Sequence, residues 1–268
     1  MKAILTFFLL LSQSVALTPH EKLKHSFAYI HDQLILLPKH DISIPHNVQQ
    51  DAKNLNEVMS SIATLKGTGF VVNKTYNATE ILTNEHVCAN IKPNTSIPKL
   101  FVEMKSYINN RILETNPLIT LYYNLSYENI VTDYQGSHYK INKIKKTDIE
   151  TDLCLISTKE SWGIPLNVDL PVCNPGDEVL NMSVSGGIYY ENAVPTRTGI
   201  YNGVIKEEIL ASFIYTKRVL YTLNLRSGAS GSAVINKSGN LCGNISHATK
   251  KAGLSYGASA SEIRDFLK

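Results

Sequence analysis

The sequence is short of charge. Charged residues fill 18% of its 268 positions and the formal net charge is +3, too little for a field that draws in nucleic acid or a membrane surface. The one dense basic stretch, Lys140, Lys143, Lys145 and Lys146, reads as the solvated side of a strand or hairpin. There is no Cys-x-x-Cys pair, which removes the usual zinc frameworks. Beyond the N-terminus no apolar run nears the roughly 20 residues of a membrane span, so no stable span is expected. Repeats and low-complexity tracts are absent too. Five of the eight histidines (His20, His25, His31, His40 and His46) fall within 17–52, but no two are four residues apart. They read as surface histidines, and no residue set calls for a metal or another cofactor.

What is present begins with an export signal. Met1-Lys2 is a short positive start, Ala3 to Leu11 is apolar except for Thr6, and Ser14-Val15-Ala16 places small residues where a signal peptidase reads. Residues 1–16 are therefore read as a signal peptide, 17–52 as an N-terminal extension and 53–268 as the folded domain, secreted or periplasmic. With 43% hydrophobic residues the chain can bury a core. Cys88, Cys154, Cys173 and Cys242 are even in number, which fits two disulfides in any of three pairings; buried free thiols are the other reading. Seven Asn-x-Ser/Thr sites (Asn73, Asn77, Asn94, Asn124, Asn181, Asn236 and Asn244) matter only in a eukaryotic secretory route.

From Met59 the texture is that of an all-β protein. Short β-branched runs recur at 61–65, 70–72, 80–83, 119–123, 139–144, 153–156, 178–184, 199–205, 219–225, 233–235 and 240–245. Turn residues such as Asn73, Gly136, Pro175-Gly176, Gly186-Gly187 and Ser238-Gly239 separate them. That spacing indicates a sandwich or barrel rather than βαβ units. The clear helix is terminal. Ser259 and Glu262 have capping-box spacing, and Ile263, Phe266 and Leu267 form its apolar stripe.

Three patterns carry chemistry. Gly67-Thr-Gly-Phe-Val-Val leads to Ile81-Leu-Thr-Asn-Glu-His86-Val, so His86 stands at the end of an apolar strand. Asp152 precedes Leu153-Cys-Leu-Ile156, an acid at the edge of a buried strand that needs a partner, and an imidazole N–H is a natural one. Ser227-Gly228-Ala229-Ser230-Gly231-Ser232 is a glycine-rich turn in which the Gly228 and Ser230 amides can point at one spot. A serine hydroxyl needs a base to attack a carbonyl, and the oxyanion it creates needs such donors.

The order His86, Asp152, Ser230 and these local motifs resemble the trypsin-like serine proteases, and within them the HtrA/Deg-like branch, without a PDZ domain. The resemblance covers roughly residues 55–267. It implies two six-stranded antiparallel β-barrels of the chymotrypsin-like fold, about 53–165 and 170–258, with a C-terminal helix at 259–267 and a site between the barrels. It implies a serine endopeptidase acting on protein or peptide, with Ser230 as nucleophile, His86 as base, Asp152 orienting it, and Gly228 and Ser230 as the oxyanion hole. Asn224 would floor the pocket for the residue before the cleaved bond, which disfavours Lys or Arg there. Ser246, His247 and Ala248 would form a wall. Departures are visible: Ala229 replaces the acid of digestive members, Ser232 replaces a second glycine, and His86 lies 66 residues before Asp152, which an insertion within 92–138 would explain. The alternatives are a catalytically silent peptide-binding module and an α/β-hydrolase esterase. The latter is disfavoured because that class places its serine before the acid and histidine. The pattern leaves the oligomeric state open. Protein recovered outside the cytoplasm should begin at Leu17 by N-terminal sequencing; a chain still carrying Met1 there would mean an uncleaved anchor.

Overall fold

A computed structural model describes residues 17–39, 42–60, 64–89, 91, 109–110, 112, 116–169, 173–209, 214–249 and 252–268. The signal at 1–16, the start of the strand expected from 61, and Asn94 lie outside the described residues. Six antiparallel strands, β1 (Phe27–Pro38), β2 (Thr64–Thr75), β3 (Ala78–Thr83), β4 (Tyr123–Thr132), β5 (His138–Asp148) and β6 (Leu153–Thr158), close a barrel in the order β1-β2-β3-β6-β5-β4. Seven more, β7 (Glu178–Met182), β8 (Thr196–Ile209), β9 (Ile214–Tyr221), β10 (Ala233–Asn236), β11 (Leu241–Asn244), β12 (His247–Thr249) and β13 (Leu254–Gly257), form one sheet in the order β11-β10-β7-β8-β9-β13-β12. The edge at β11 returns to the end of β13: Gly243 bridges Ser259, and the Asn244 amide donates to the Ala258 carbonyl at 3.1 Å. This is the chymotrypsin-like, largely β architecture, with three-residue β12 as a seventh strand in the second unit.

The helices are α1 (Pro19–Ser26), α2 (His46–Ser60), α3 (Glu85–Cys88), α4 (Pro117–Tyr122) and α5 (Ala260–Leu267). The α5 capping box forms as the sequence indicates, with Ser259 Oγ accepting from the Glu262 amide and the Glu262 carboxylate accepting from the Ser259 amide. Its Ile263 and Phe266 are buried in a cluster holding Phe70, Leu82 and Leu153 of the first barrel and Met182, Ile235 and Leu241 of the second. One apolar core therefore runs across the interface. At the C-terminal end of α5 the Lys146 ammonium donates to the Phe266 carbonyl at 2.5 Å and stands over the Phe266 ring, a cation at the negative end of the helix. Lys140 pairs with Glu128 at 2.6 Å and Lys145 with Glu80, so the basic run lies along β5 with partners of its own.

Two sequence expectations differ from the structure. The stretch 17–52 is more than an extension, because β1 completes the first barrel. Its ladder runs along β2 from Phe27↔Phe70 and along β4 from Tyr29↔Thr132 to Pro38↔Tyr123. Adjacent buried polar residues, His31 and Asp32, interrupt the alternation that would have marked it as a strand. Residues 119–123, read as a strand, belong mostly to α4: Pro117 sits at the start of a helix, where its fixed φ is favourable. The far ends of β1 and β4 carry a satellite core of Leu36, Val48, Ala52, Ile112 and Ile119.

Both disulfides form, Cys88–Cys154 and Cys173–Cys242, with Cα separations of 6.4 and 5.2 Å. They separate the connectivities that sequence leaves open. Each closes a loop within one barrel, and a loop of this length constrains the unfolded chain by about 4 kcal/mol on the chain-entropy account. Replacing Cys88 and Cys154 together by Ser should lower the unfolding free energy by about that amount in denaturant titration; a loss within experimental error would mean that native-state strain cancels the gain.

Candidate active site

The first half of the site is built in the first barrel. Strand β3 ends at Thr83; Asn84 is the N-cap residue of the single-turn α3, and His86 stands on that turn. The β5–β6 turn delivers Asp152 opposite it. His86 Nδ1 lies 3.0 Å from both Asp152 oxygens, and the His86 amide donates to Asp152 Oδ1 at 3.2 Å. A carboxylate on that side places the ring hydrogen on Nδ1 and leaves Nε2 as the acceptor. The carboxylate is largely covered while the imidazole is 44% exposed, so the acid is dry and the base reaches solvent. Burial pushes the Asp152 carboxyl up, but the hydrogen bonds and charge of His86 outweigh it and hold the group below its ordinary value.

The turn that presents Asp152 is held from several sides. Asp152 has φ +56°, a left-handed conformation that Asp tolerates better than most residues. Asp148 accepts from the Glu150 amide at 3.0 Å and from Thr151 Oγ1 at 2.8 Å, so it stabilises the turn and does not face the histidine. Asp133 plays a like part elsewhere, accepting from the Gln135 and Ser137 amides at 2.9 Å. From β9 of the seven-stranded sheet the buried Arg218 donates to the carbonyls of Thr151 at 2.9 Å and Glu150 at 3.3 Å. Asn84 Nδ2 donates to the Asp152 carbonyl at 2.7 Å and to Ser246 Oγ at 3.2 Å. Cys88 and Cys154 each lie two residues beyond His86 and Asp152, so their disulfide binds the same two segments covalently.

The second half is the turn before β10. Gly228 and Gly231 adopt φ +94° and +88°, which only glycine takes readily. Between them the Ser230 hydroxyl donates to the Ser246 carbonyl at 3.1 Å. The Gly231 amide donates to the Ile245 carbonyl at 2.7 Å, and the Thr68 amide to the Ser230 carbonyl at 2.8 Å. The amides of Gly228 and Ser230 have no acceptor among the described residues. Ser246 follows β11 and is buried; His247 and Ala248 start β12, which is a sheet edge. The His247 ring lies 5.8 Å from that of His86 and stacks on Tyr256 at 5.3 Å. Asn224 is exposed between the buried Leu223 and Leu225.

Thus His86 and Asp152 are hydrogen-bonded directly, while Ser230 is tied to Ser246, which Asn84 links to the Asp152 backbone. Chemically, the pair offers an oriented proton acceptor, and the glycine-rich turn offers a hydroxyl flanked by two open amide donors. Sequence reasoning missed Arg218 and the Thr68 side chain. The only trace of the first is a cation directly before the apolar run at 219–221, and of the second, a hydroxyl between two glycines.

The family description of the trypsin-like peptidase domain matches residues 67–243, and the chain belongs to that family. No curated protein sequence matches it. Among solved structures it is similar to the active form of the Rv3671c protease from M. tuberculosis, with a TM-score of 0.58 at 13% identity over 93% of this chain and 82% of that one. It is also similar to a serine-to-alanine form of the HtrA-type protease AlgW with a decapeptide, with a TM-score of 0.56 at 15% identity over 93% of this chain and 64% of that one. At such identities the likeness shows the fold.

The Asp152 shift has a stability consequence. The unfolded carboxyl, near its reference value of about 4, takes up its proton before the folded one does. The stabilisation is complete above that value and is lost as pH falls through the lower folded one. In urea titrations the advantage of the parent chain over Asp152→Asn should therefore shrink as pH is lowered below about 4; an unchanged difference would show that the carboxylate is not favoured by its surroundings.

Proposed function

We propose that this peptidase is an exported serine endopeptidase that cleaves protein or peptide chains through an acyl-enzyme on Ser230. His86 Nε2 takes the hydroxyl proton as Ser230 Oγ attacks the scissile carbonyl, and Asp152 stabilises the imidazolium that forms. The Gly228 and Ser230 amides receive the oxyanion, a contribution of about 3 kcal/mol for each such donor. The imidazolium then gives its proton to the leaving amine, and a water activated by the same base releases the acyl group. The observation that carries the reading is the His86 Nδ1–Asp152 pairing, which leaves Nε2 as a base in a site that also holds two open amides. Before attack the Ser230 hydroxyl turns away from the Ser246 carbonyl, a rotation about χ1 alone; catalytic hydrogen bonds are often unformed before substrate arrives.

A substrate would lie extended along β12, whose outer edge has backbone groups ready for an added strand. Ser246 before β12, with His247 and Ala248 on it, supplies the wall, and Asn224 offers no charge to pair with a basic side chain. Two disulfides fit an oxidising compartment, in keeping with the signal at 1–16.

A fluorophosphonate probe at pH 8 tests the reading. Ser230 should label in the parent chain, not at all in Ser230→Ala, and far less in His86→Ala. Turnover of an unfolded protein should fall on the order of 10⁶-fold in Ser230→Ala. A folded parent chain that neither labels nor cleaves would leave the silent peptide-binding module as the better account.

A further inference from the structure

The oxyanion donors need their peptide planes fixed, because a glycine turn is free to rotate them. In a trans peptide the N–H points opposite to the preceding C=O, so the direction of the Gly228 amide is set by what holds the Ser227 carbonyl. The Gly186 amide holds it, at 2.7 Å. The next plane, on the far side of Gly228, is fixed by the Gly228 carbonyl, which accepts from Thr68 Oγ1 at 2.6 Å. The same Thr68 oxygen accepts from the Val184 amide at 3.2 Å, two residues before Gly186. One buried hydroxyl from β2 therefore acts on both planes that flank Gly228: directly on one, and through the 184–186 segment on the other. The Ser230 amide lies one plane further on, with the Ala229 carbonyl, which Ser232 holds through its amide at 3.1 Å and its hydroxyl at 2.6 Å. The 184–186 segment is tied down at its other end by Arg226, whose amide donates to Ser185 Oγ at 2.8 Å, and by Tyr189, whose hydroxyl donates to the Asp133 carbonyl at 2.9 Å.

We propose that Thr68 is a positioning residue for the oxyanion hole, its hydroxyl fixing the peptide planes on both sides of Gly228 and so keeping the Gly228 amide aimed at the point the Ser230 amide also faces. The proposal rests on the peptidase reading above for its catalytic meaning but not for its geometry. The hydroxyl is matched to the task. As donor it satisfies a carbonyl and as acceptor it satisfies an amide, so a single side chain closes both positions without adding charge near the developing oxyanion.

The test compares Thr68→Ser with Thr68→Ala, which both lose the methyl and differ only in the hydroxyl; Thr68→Val, which keeps the volume, is a third point. All are measured where each is folded by thermal melting. Thr68→Ser should stay within severalfold of the parent in kcat. Thr68→Ala should lose kcat by 10-fold or more, towards the roughly 10²–10³ of a deleted oxyanion donor, at a nearly unchanged KM. Its affinity for a peptide boronate should fall in parallel, since that adduct carries the tetrahedral charge. A structural role alone would lower the melting temperature without dividing kcat from KM. Nuclear magnetic resonance supplies a readout independent of turnover. The Gly228 and Ala229 amide signals should be single in the parent and Thr68→Ser, and broadened or doubled in Thr68→Ala. If they remain single in Thr68→Ala, the inference fails whatever the activity. If they broaden in a chain whose parent neither cleaves nor labels, the strut stands and the peptidase reading falls.

Discussion

The structure depends on a backbone-to-backbone contact between its two halves. The Thr68 amide donates to the Ser230 carbonyl at 2.8 Å, which brings a strand of the barrel against the glycine-rich turn of the seven-stranded unit with no side chain between them. Glycine makes this possible on both sides. A Cβ on Gly67 would stand 2.9 Å from the Ser230 carbonyl oxygen, and one on Gly231 would overlap the Thr68 carbonyl and the Thr83 hydroxyl. The Gly-Thr-Gly and Ser-Gly motifs are thus the two faces of one joint. This joint sets the turn that carries Ser230 against the strand that leads towards His86.

The acid–base pair shows the same dependence in another form. His86 and Asp152 both belong to the first barrel, yet the turn that carries the acid is held by Arg218 from the second, and Asn84 bridges from Asp152 to Ser246. A buried guanidinium whose hydrogen bonds run to carbonyls rather than a carboxylate is costly to desolvate. Here it satisfies carbonyls of a left-handed turn that would otherwise face an apolar interface. The ionised form of Asp152 is favoured beside an imidazole that is 44% exposed.

Much of this was legible in the sequence, for a physical reason. His86, Asp152 and Ser230 sit in short windows whose backbone needs are severe, and severe needs leave marks: glycines at φ +94° and +88°, an acid ahead of a buried strand, a capping residue before a one-turn helix. The terminal helix declared itself through a complete capping box. What stayed hidden has weaker local demands. Strand β1 is a barrel strand because β2 and β4 pair with it, and its buried His31 and Asp32 break the pattern that pairing would leave. The helix at Pro117–Tyr122 overrode β-branched propensity by packing Ile119 into a satellite core formed with α2. Thr68 and Arg218 act across the interface, so nothing adjacent in sequence announces them. Disulfide pairing was likewise undecidable until Cα distances were known.

The two disulfides carry a further consequence for the order in which the molecule is made. Their loops run from 88 to 154 and from 173 to 242, one after the other and never interleaved. Each loop can be closed within its own stretch of chain, with no mispaired intermediate required on the way. The contacts of Thr68 with Ser230 and of Arg218 with the Asp152 turn join segments that belong to different loops, so neither disulfide by itself makes them. A chain that is fully bridged but undocked would therefore hold both halves of the candidate site without the contacts that join them.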